Sequence, residues 1–464
     1  MDKFRKFCVI LFGGLSLFFA ILAIHNHFFY NAKKYYQYKA TEWNLNLANN
    51  ATTNDKLIFF FVSGNEIISR KIKKTLEENY VFSILDKEKN SADYEVFNYF
   101  LKKNSKTKQD LACAILTPNF KPIYLSGKVE KKRLEKILTA IANSYKNNKG
   151  LIRSKAELVS IQQVRNSQSI FFTNMPIFNF VYSVTPSRFD QNTPTAVVTE
   201  NARVAFKNYK KYPSPVQKFR AEKSLSALKT RYKRASNKTE KLLIARAIAD
   251  IAFATNVRNI NELKQEADSI ISSRNSSKST LISALELAVL SRAYAVFATE
   301  DYAKKAEALT TYLENTLFNA QETSIQFLPT SLEANSIQTN SNVSALDLAV
   351  MANALCDFYE ITFDKRHLFS ALEIIKKLDA EYSHKGFWTI NSKYCPSANF
   401  ARITIINDSD KPSHLGEAYQ AISRINRGLN ISTISPSQYN KYKISTRFIP
   451  ALEHSRASIK LAEM

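Results

Sequence analysis

Hydrophobic positions recur along this chain in two different periods, and the change from one to the other divides it. Residues 56–62, Lys56-Leu57-Ile58-Phe59-Phe60-Phe61-Val62, form an unbroken apolar run of the kind that a buried central strand needs. Ser63-Gly64-Asn65 reads as a turn, after which Ile68, Ile72 and Leu76 recur every fourth residue and predict a helix over 66–79. A second strand is expected over 80–85 and a helix around 94–101. A third strand over 111–116, a turn at Thr117-Pro118-Asn119, a short strand over 122–125 and a helix over 130–145 complete this part.

From Thr239 onward the period is helical throughout. Helices are expected over 240–255, 259–273, 279–298, 301–317, 345–359, 365–382 and 415–428. The run 346–360 is apolar on nearly every side and must be covered all round, whereas Leu368, Ala371, Leu372, Ile375 and Leu378 make a single stripe. A helix covered all round needs helical neighbours, so these segments read as an array of hairpins. The β-α-β-α-β-β-α order before them is that of a thioredoxin fold. The expected architecture is multidomain: an N-terminal transmembrane helix, an α/β thioredoxin-like domain and an all-α helical-hairpin array forming a partial α/α toroid. Its parts are a signal anchor over 1–30, a tether over 31–55, the thioredoxin-like domain over 56–146, a linker over 147–215 and the helical domain over 216–464.

Composition adds to this in three places. Lys3, Arg5 and Lys6 precede an apolar run over 7–24, long enough to span a bilayer as an uncleaved anchor and so to make the membrane a partner. The bulk of the chain is then placed on the extracytoplasmic side, the periplasmic face of an inner membrane. Only 8 glycines and 12 prolines in 464 residues argue for long helices over a loop-rich β fold. The net charge of +24 is uneven: residues 203–246 carry fourteen Lys and Arg against Glu222 and Glu240, a net +12 and half of the total. Such a segment attracts anionic lipid, polyanionic glycan or nucleic acid, or is a solvated helix face. No nucleic-acid recognition motif accompanies it, so nucleic acid is the weakest of these partners.

Cys8, Cys113, Cys356 and Cys395 are far apart and form no ligand spacing, which excludes a disulfide framework and a zinc site; no metal and no cofactor is expected. Leu76-Glu77-Glu78-Asn79-Tyr80-Val81, Asp86-Lys87-Glu88, Leu116-Thr117-Pro118 and Lys121-Pro122 carry a resemblance to the thioredoxin-domain family that includes spermatogenesis-associated protein twenty and its bacterial relatives. In the helical part it is carried by Glu300-Asp301-Tyr302, Tyr359-Glu360-Ile361-Thr362-Phe363-Asp364, Gly386-Phe387-Trp388 and Pro412-Ser413, and it covers roughly half of the chain. It implies a thioredoxin-like domain ahead of a six-hairpin α/α toroid. It also implies a Cys-x-x-Cys at the start of the first helix, where this chain has Ser63, Gly64, Asn65 and Glu66. That corner is degenerate, and disulfide exchange needs two thiols, so no disulfide oxidoreductase is expected.

A glycan-processing toroid needs carboxylates in its central cleft. The candidates are Asp408, Asp410, His414 and Glu417, with Asp410 or Ser413 as a helix cap the competing reading. Glu360 and Asp364 read as a helix end and the cap of the next helix. Trp388 is a candidate sugar-stacking ring or the closing residue of a hairpin. The leading expectation is a membrane-anchored, non-catalytic binding or scaffolding module for a protein or glycan partner. The alternatives are a carbohydrate-active enzyme, an epimerase or hydrolase using the helical cleft, and a redox-inactive folding helper. The oligomeric state is left open by the sequence.

Overall fold

The computed structural model describes residues 40–64, 69–105, 109–168, 193–255, 260–273, 279–317, 343–384, 387–405 and 408–430. The expected anchor over 7–24, Asn65 and Glu66 of the degenerate corner, and the aromatic clusters over 171–182 lie outside the described residues. Two compact units emerge. One comprises the described residues up to Leu85 together with Leu111–Pro118 and Pro122–Ser154. The other comprises Asp86–Asp110, Asn119–Lys121 and the described residues from Lys155 onward.

In chain order the first unit contains α1 (Asn46–Thr53), β1 (Leu57–Val62), α2 (Arg70–Asn79) and β2 (Tyr80–Leu85). After α3 (Ser91–Ser105), which belongs to the second unit, come β3 (Cys113–Leu116), β4 (Pro122–Ser126) and α4 (Lys131–Asn147), and then α5 (Lys149–Gln168), which belongs to the first unit only up to Ser154. The four strands form one mixed sheet in the order β2-β1-β3-β4. Strand β1 runs parallel to β2, with Leu57 opposite Tyr80 and Val62 opposite Leu85, and antiparallel to β3. Alternation along β1 sends Leu57, Phe59 and Phe61 into a core with Ile72, Leu76, Leu134 and Leu138 from α2 and α4. Phe60 points the other way and meets Trp43 edge-on at 4.8 Å. Both faces of β1 are therefore covered, which is why its sequence shows no polar alternation. Ser69 caps α2 by accepting from the Ile72 amide at 3.2 Å. The described half of the degenerate corner, Ser63 and Gly64, turns away from the end of β1, with Ser63 N–H donating to the Leu85 carbonyl and Gly64 at φ +86°.

Among the described residues the second unit is built on nine further helices: α6 (Thr195–Lys211), α7 (Pro215–Arg234), α8 (Lys238–Thr255), α9 (Asn261–Ser272), α10 (Thr280–Phe297), α11 (Glu300–Leu317), α12 (Ala345–Thr362), α13 (Lys365–Tyr382) and α14 (His414–Leu429). A two-residue β5 (Ser383–His384) and β6 (Phe387–Trp388) form a small hairpin after α13. Alternate helices make an inner row, in which α6 packs on α8, α8 on α10, α10 on α12 and α12 on α14. Helices α7, α9, α11 and α13 pack on the outside of this row.

This layering explains the two hydrophobic patterns. Every residue of α12 from Ala345 to Phe358 is buried, while α13 buries Leu368, Ala371, Leu372, Ile375 and Leu378 and leaves its other side to solvent. Among the described residues one helix, α10, is long and apolar enough to cross a membrane, and most of it is buried in this core. The ends of the inner row meet, since Arg203 of α6 donates to Gln420 Oε1 of α14 at 3.1 Å. Next to this contact the Ala196 amide donates to the Ser409 carbonyl at 3.0 Å. The sequence left 147–215 without helices; α5 and α6 occupy it, and α6 opens the inner row.

Candidate functional site

Charged and amide residues occur inside the inner helices at spacings of three and four, which stacks them along one face of each helix. They are Glu200, Arg203 and Lys207 on α6, Arg246 and Asp250 on α8, Arg292 on α10, Asn353, Asp357 and Glu360 on α12, and Glu417, Gln420, Arg424 and Arg427 on α14. All five faces turn towards one another, because each helix already commits its remaining surface to apolar neighbours. The result is a ladder of ion pairs that ends in an open cleft.

At its closed end Arg246 donates both terminal nitrogens to Glu417, at 2.8 and 3.0 Å, and Asn353 Nδ2 adds a third bond at 2.7 Å. Burial alone would raise the Glu417 pKa; Arg246 and Arg203 outweigh it and hold this carboxylate below its ordinary value. Glu200, 2% exposed and 2.7 Å from Arg203, goes the other way, because desolvation and the neighbouring Glu417 charge push its pKa up.

Towards the mouth, Arg203 pairs with Asp250 at 2.7 Å, and Arg292 reaches Asp250 at 3.2 Å, Asp357 at 2.8 Å and Glu360 at 2.6 Å. Arg424 closes the set on Asp357 at 2.7 Å and Glu360 at 2.8 Å. Burial opposes ionisation of Asp250 and Glu360, yet the surrounding guanidinium groups keep both below the usual carboxylate range. The cleft has a volume of about 290 Å³ and is lined by six cations, Arg203, Lys207, Lys210, Arg292, Arg424 and Arg427, against the three carboxylates Asp250, Asp357 and Glu360. Lys207 is an exposed residue, yet partial loss of water around its ammonium at the cleft, reinforced by Arg203, lowers its pKa to about 8. Phe206 and Phe253 complete the wall; Phe253 is 47% exposed and lies 4.6 Å from the Arg292 guanidinium carbon.

Most of the residues singled out in the sequence lie elsewhere, Glu360 and Glu417 excepted. Asp408 is buried and accepts from the Ser413 amide at 2.8 Å, Ser413 caps α14 by accepting from Gly416, and Asp410 is exposed. His414 is 3% exposed, with Nε2 3.1 Å from the Trp388 carbonyl, and burial lowers its pKa to about 4. Glu417 belongs to the ladder but lies below the cleft. Trp388 is 1% exposed, stacks on Tyr419 at 5.7 Å and donates from Nε1 to Asp379, so its ring is part of the core. Asp364 caps α13, whereas Glu360 lines the cleft. Cys113, Cys356 and Cys395 are buried, and burial raises all three thiols, Cys113 and Cys356 to about 12. Among the described residues no group of acidic, histidine or cysteine side chains is arranged to hold a metal ion.

No family model and no curated protein matches the sequence. Among solved structures the chain is similar to the Lin0763 protein from Listeria innocua, at 12% identity and a TM-score of 0.42, over 65% of this chain and 93% of that one. It is similar to a D-mannose isomerase at 11% identity and a TM-score of 0.36, over 62% of this chain and 84% of that one. An unsaturated glucuronyl hydrolase from Bacillus sp. GL1 follows at 12% identity and a TM-score of 0.36, over 61% of this chain and 79% of that one. The expectation of a non-catalytic binding or scaffolding module is corrected here. The physical reason lies in the cleft: it is open and lined by converging charged side chains, where a purely structural array would fill that space with apolar ones.

Proposed function

We propose that the helical unit is a carbohydrate-active enzyme that takes an acidic sugar in the cleft between α6, α8, α10, α12 and α14, and that it moves a proton at the carbon bearing the sugar's carboxylate. The observation that carries this reading is the excess of cations at the cleft, six against three carboxylates. Arg203, Arg292 and Arg424 are already fixed by their carboxylate partners, so a bound carboxylate meets donors that need no rearrangement. The exposed Phe253 offers a ring for the apolar face of the sugar.

Epimerisation fits these residues better than hydrolysis. A two-carboxylate glycosidase needs one carboxyl kept neutral as the acid. Asp250 and Glu360 are held ionised by their arginines, and Asp357 is bound by Arg292 and Arg424. The group poised near neutrality is Lys207, with a pKa of about 8. In its neutral form it accepts the proton from the carbon beside the carboxylate, while the arginines hold the charge that develops on the carboxylate oxygens. Return of a proton to the opposite face, from water or from Lys210, gives the epimer.

From its strand order and closing helix we read the first unit as a degenerate thioredoxin-like domain, and the helical unit as a partial α/α toroid. Calorimetric titration of the full chain with a hexuronate and with the matching neutral hexose tests the cleft. Binding of the uronate alone, weakened at least tenfold in Arg424→Met, is expected; equal binding of both sugars, or of neither, rejects the reading.

A further inference from the structure

The corner joining α6 to α7 is shaped differently from the rest of the inner row. Residues 210–216 are all exposed, and three large side chains stand out from them and from the first turn of α7: Tyr212 at 62% exposed, Val216 at 59% and Phe219 at 57%. The corner is held in place by the start of α7, where Ser214 accepts from the Gln217 amide and Pro215 occupies the first helical position. Helix α7 turns Ala221, Ser224, Leu228 and Tyr232 inward, and Val216, Phe219 and Lys223 outward at three- and four-residue spacing. Lys211, Lys218 and Lys223 surround the apolar side chains, with Lys211 over the Tyr212 ring and Lys223 over Phe219 at 5.6 and 5.4 Å.

We propose that this corner is a membrane-docking tip, which sinks Tyr212, Val216 and Phe219 into the interfacial region of an anionic bilayer while the surrounding lysines meet lipid phosphates. Two features select a bilayer over other polyanions. The exposed residues are aliphatic and aromatic together, and an aliphatic Val216 gains nothing from a phosphate backbone but does gain from leaving water for the acyl boundary. Lysines long enough to keep their ammonium groups at the headgroups while their stems lie along apolar surface complete an interfacial site. The inference does not depend on the chemistry assigned to the cleft. It does give that chemistry a location, because Lys207 and Lys210, which line the cleft, belong to the last two turns of α6 that lead into the tip.

The test places a reporter at the tip. Trp43 and Trp388 are 4% and 1% exposed, so a Phe219→Trp variant of the full chain adds an accessible tryptophan against a buried background. The variant is reconstituted into vesicles of phosphatidylcholine, with or without phosphatidylglycerol, carrying brominated acyl chains as quencher. Quenching of the added emission is expected in the anionic vesicles and not in the neutral ones. Lys211→Gln with Lys218→Gln should lower it by on the order of tenfold at a given anionic lipid content. Absence of quenching in anionic vesicles, or equal quenching in both kinds, overturns the proposal. So does a reporter that responds to a short DNA duplex and not to bromolipid, which would assign the corner to nucleic acid.

Discussion

Arg292 is the residue on which the cleft turns. Its guanidinium touches carboxylates from α8 and α12 at three points, and removing it would leave Asp250, Asp357 and Glu360 buried or half-buried with fewer positive partners. Breaking such a buried set is worth about 3–5 kcal/mol, so Arg292→Met should lower the denaturant midpoint sharply. Arg292→Lys should recover little of it, because an ammonium cannot reproduce the fork. His414 supplies a second residue-scale prediction. Its pKa falls from 6.5 to about 4 on folding, so between those values the unfolded chain binds a proton that the folded chain excludes. Stability should therefore fall as the pH drops from about 6.5 to 4, by up to about 3 kcal/mol from this group, and His414→Gln should flatten that slope in urea melts. Asp250 and Glu360 act further down: held below the ordinary carboxylate range, they stabilise the fold above that range and lose the effect as the pH falls through it.

At the scale of elements, the corner between α12 and α13 carries a left-handed Phe363, φ 57° and 77% exposed, at a position where glycine relieves the clash of a side chain with its own backbone. Phe363→Gly should stabilise the helical unit by about 0.5–1 kcal/mol, read as a rise in melting temperature. This corner also marks where the sequence was legible. The stripe on α13, the continuous apolar α12, the Asp364 cap and the all-apolar β1 follow from period and burial, and each sits within a few residues of its expected bounds. Helix α6 was not legible. Thr195-Ala196-Val197-Val198-Thr199-Glu200-Asn201 mixes β-branched and polar residues, and it buries Glu200 and Asn201 against the ladder, so no clean stripe appears. For the same reason Arg203 and Lys207 passed as part of a solvated basic segment. A signal for the cleft was present in the helices that were found. Arg246 and Asp250 on α8, Glu286 and Arg292 on α10, and Asp357 on α12 interrupt helices that are otherwise largely apolar, and a buried charge in such a helix must face a partner of opposite sign. The loop at 408–417 drew attention through its density of polar residues, which the structure uses to cap α14.

At the scale of the whole chain, the formal charge of +24 gains a structural meaning in its densest segment. Part of the excess over 203–246 is internal, with Arg203 and Arg246 neutralised by buried carboxylates, and part is external, at the corner around Tyr212 and along α7. Salt should therefore act unequally. Raising ionic strength should weaken attachment at the corner strongly while leaving the melting temperature of the helical unit nearly unchanged, since buried pairs are screened far less than exposed ones. The proposed chemistry moves a proton beside a sugar carboxylate through Lys207. Incubating the full chain with a hexuronate in heavy water and following the hydrogen on that carbon by NMR tests it directly. Deuterium wash-in is expected that rises with pH through about 8 and is lost in Lys207→Met, while a neutral hexose stays unlabelled. A chain that binds the uronate and leaves that hydrogen in place, or labels it equally well without Lys207, does not carry out this chemistry.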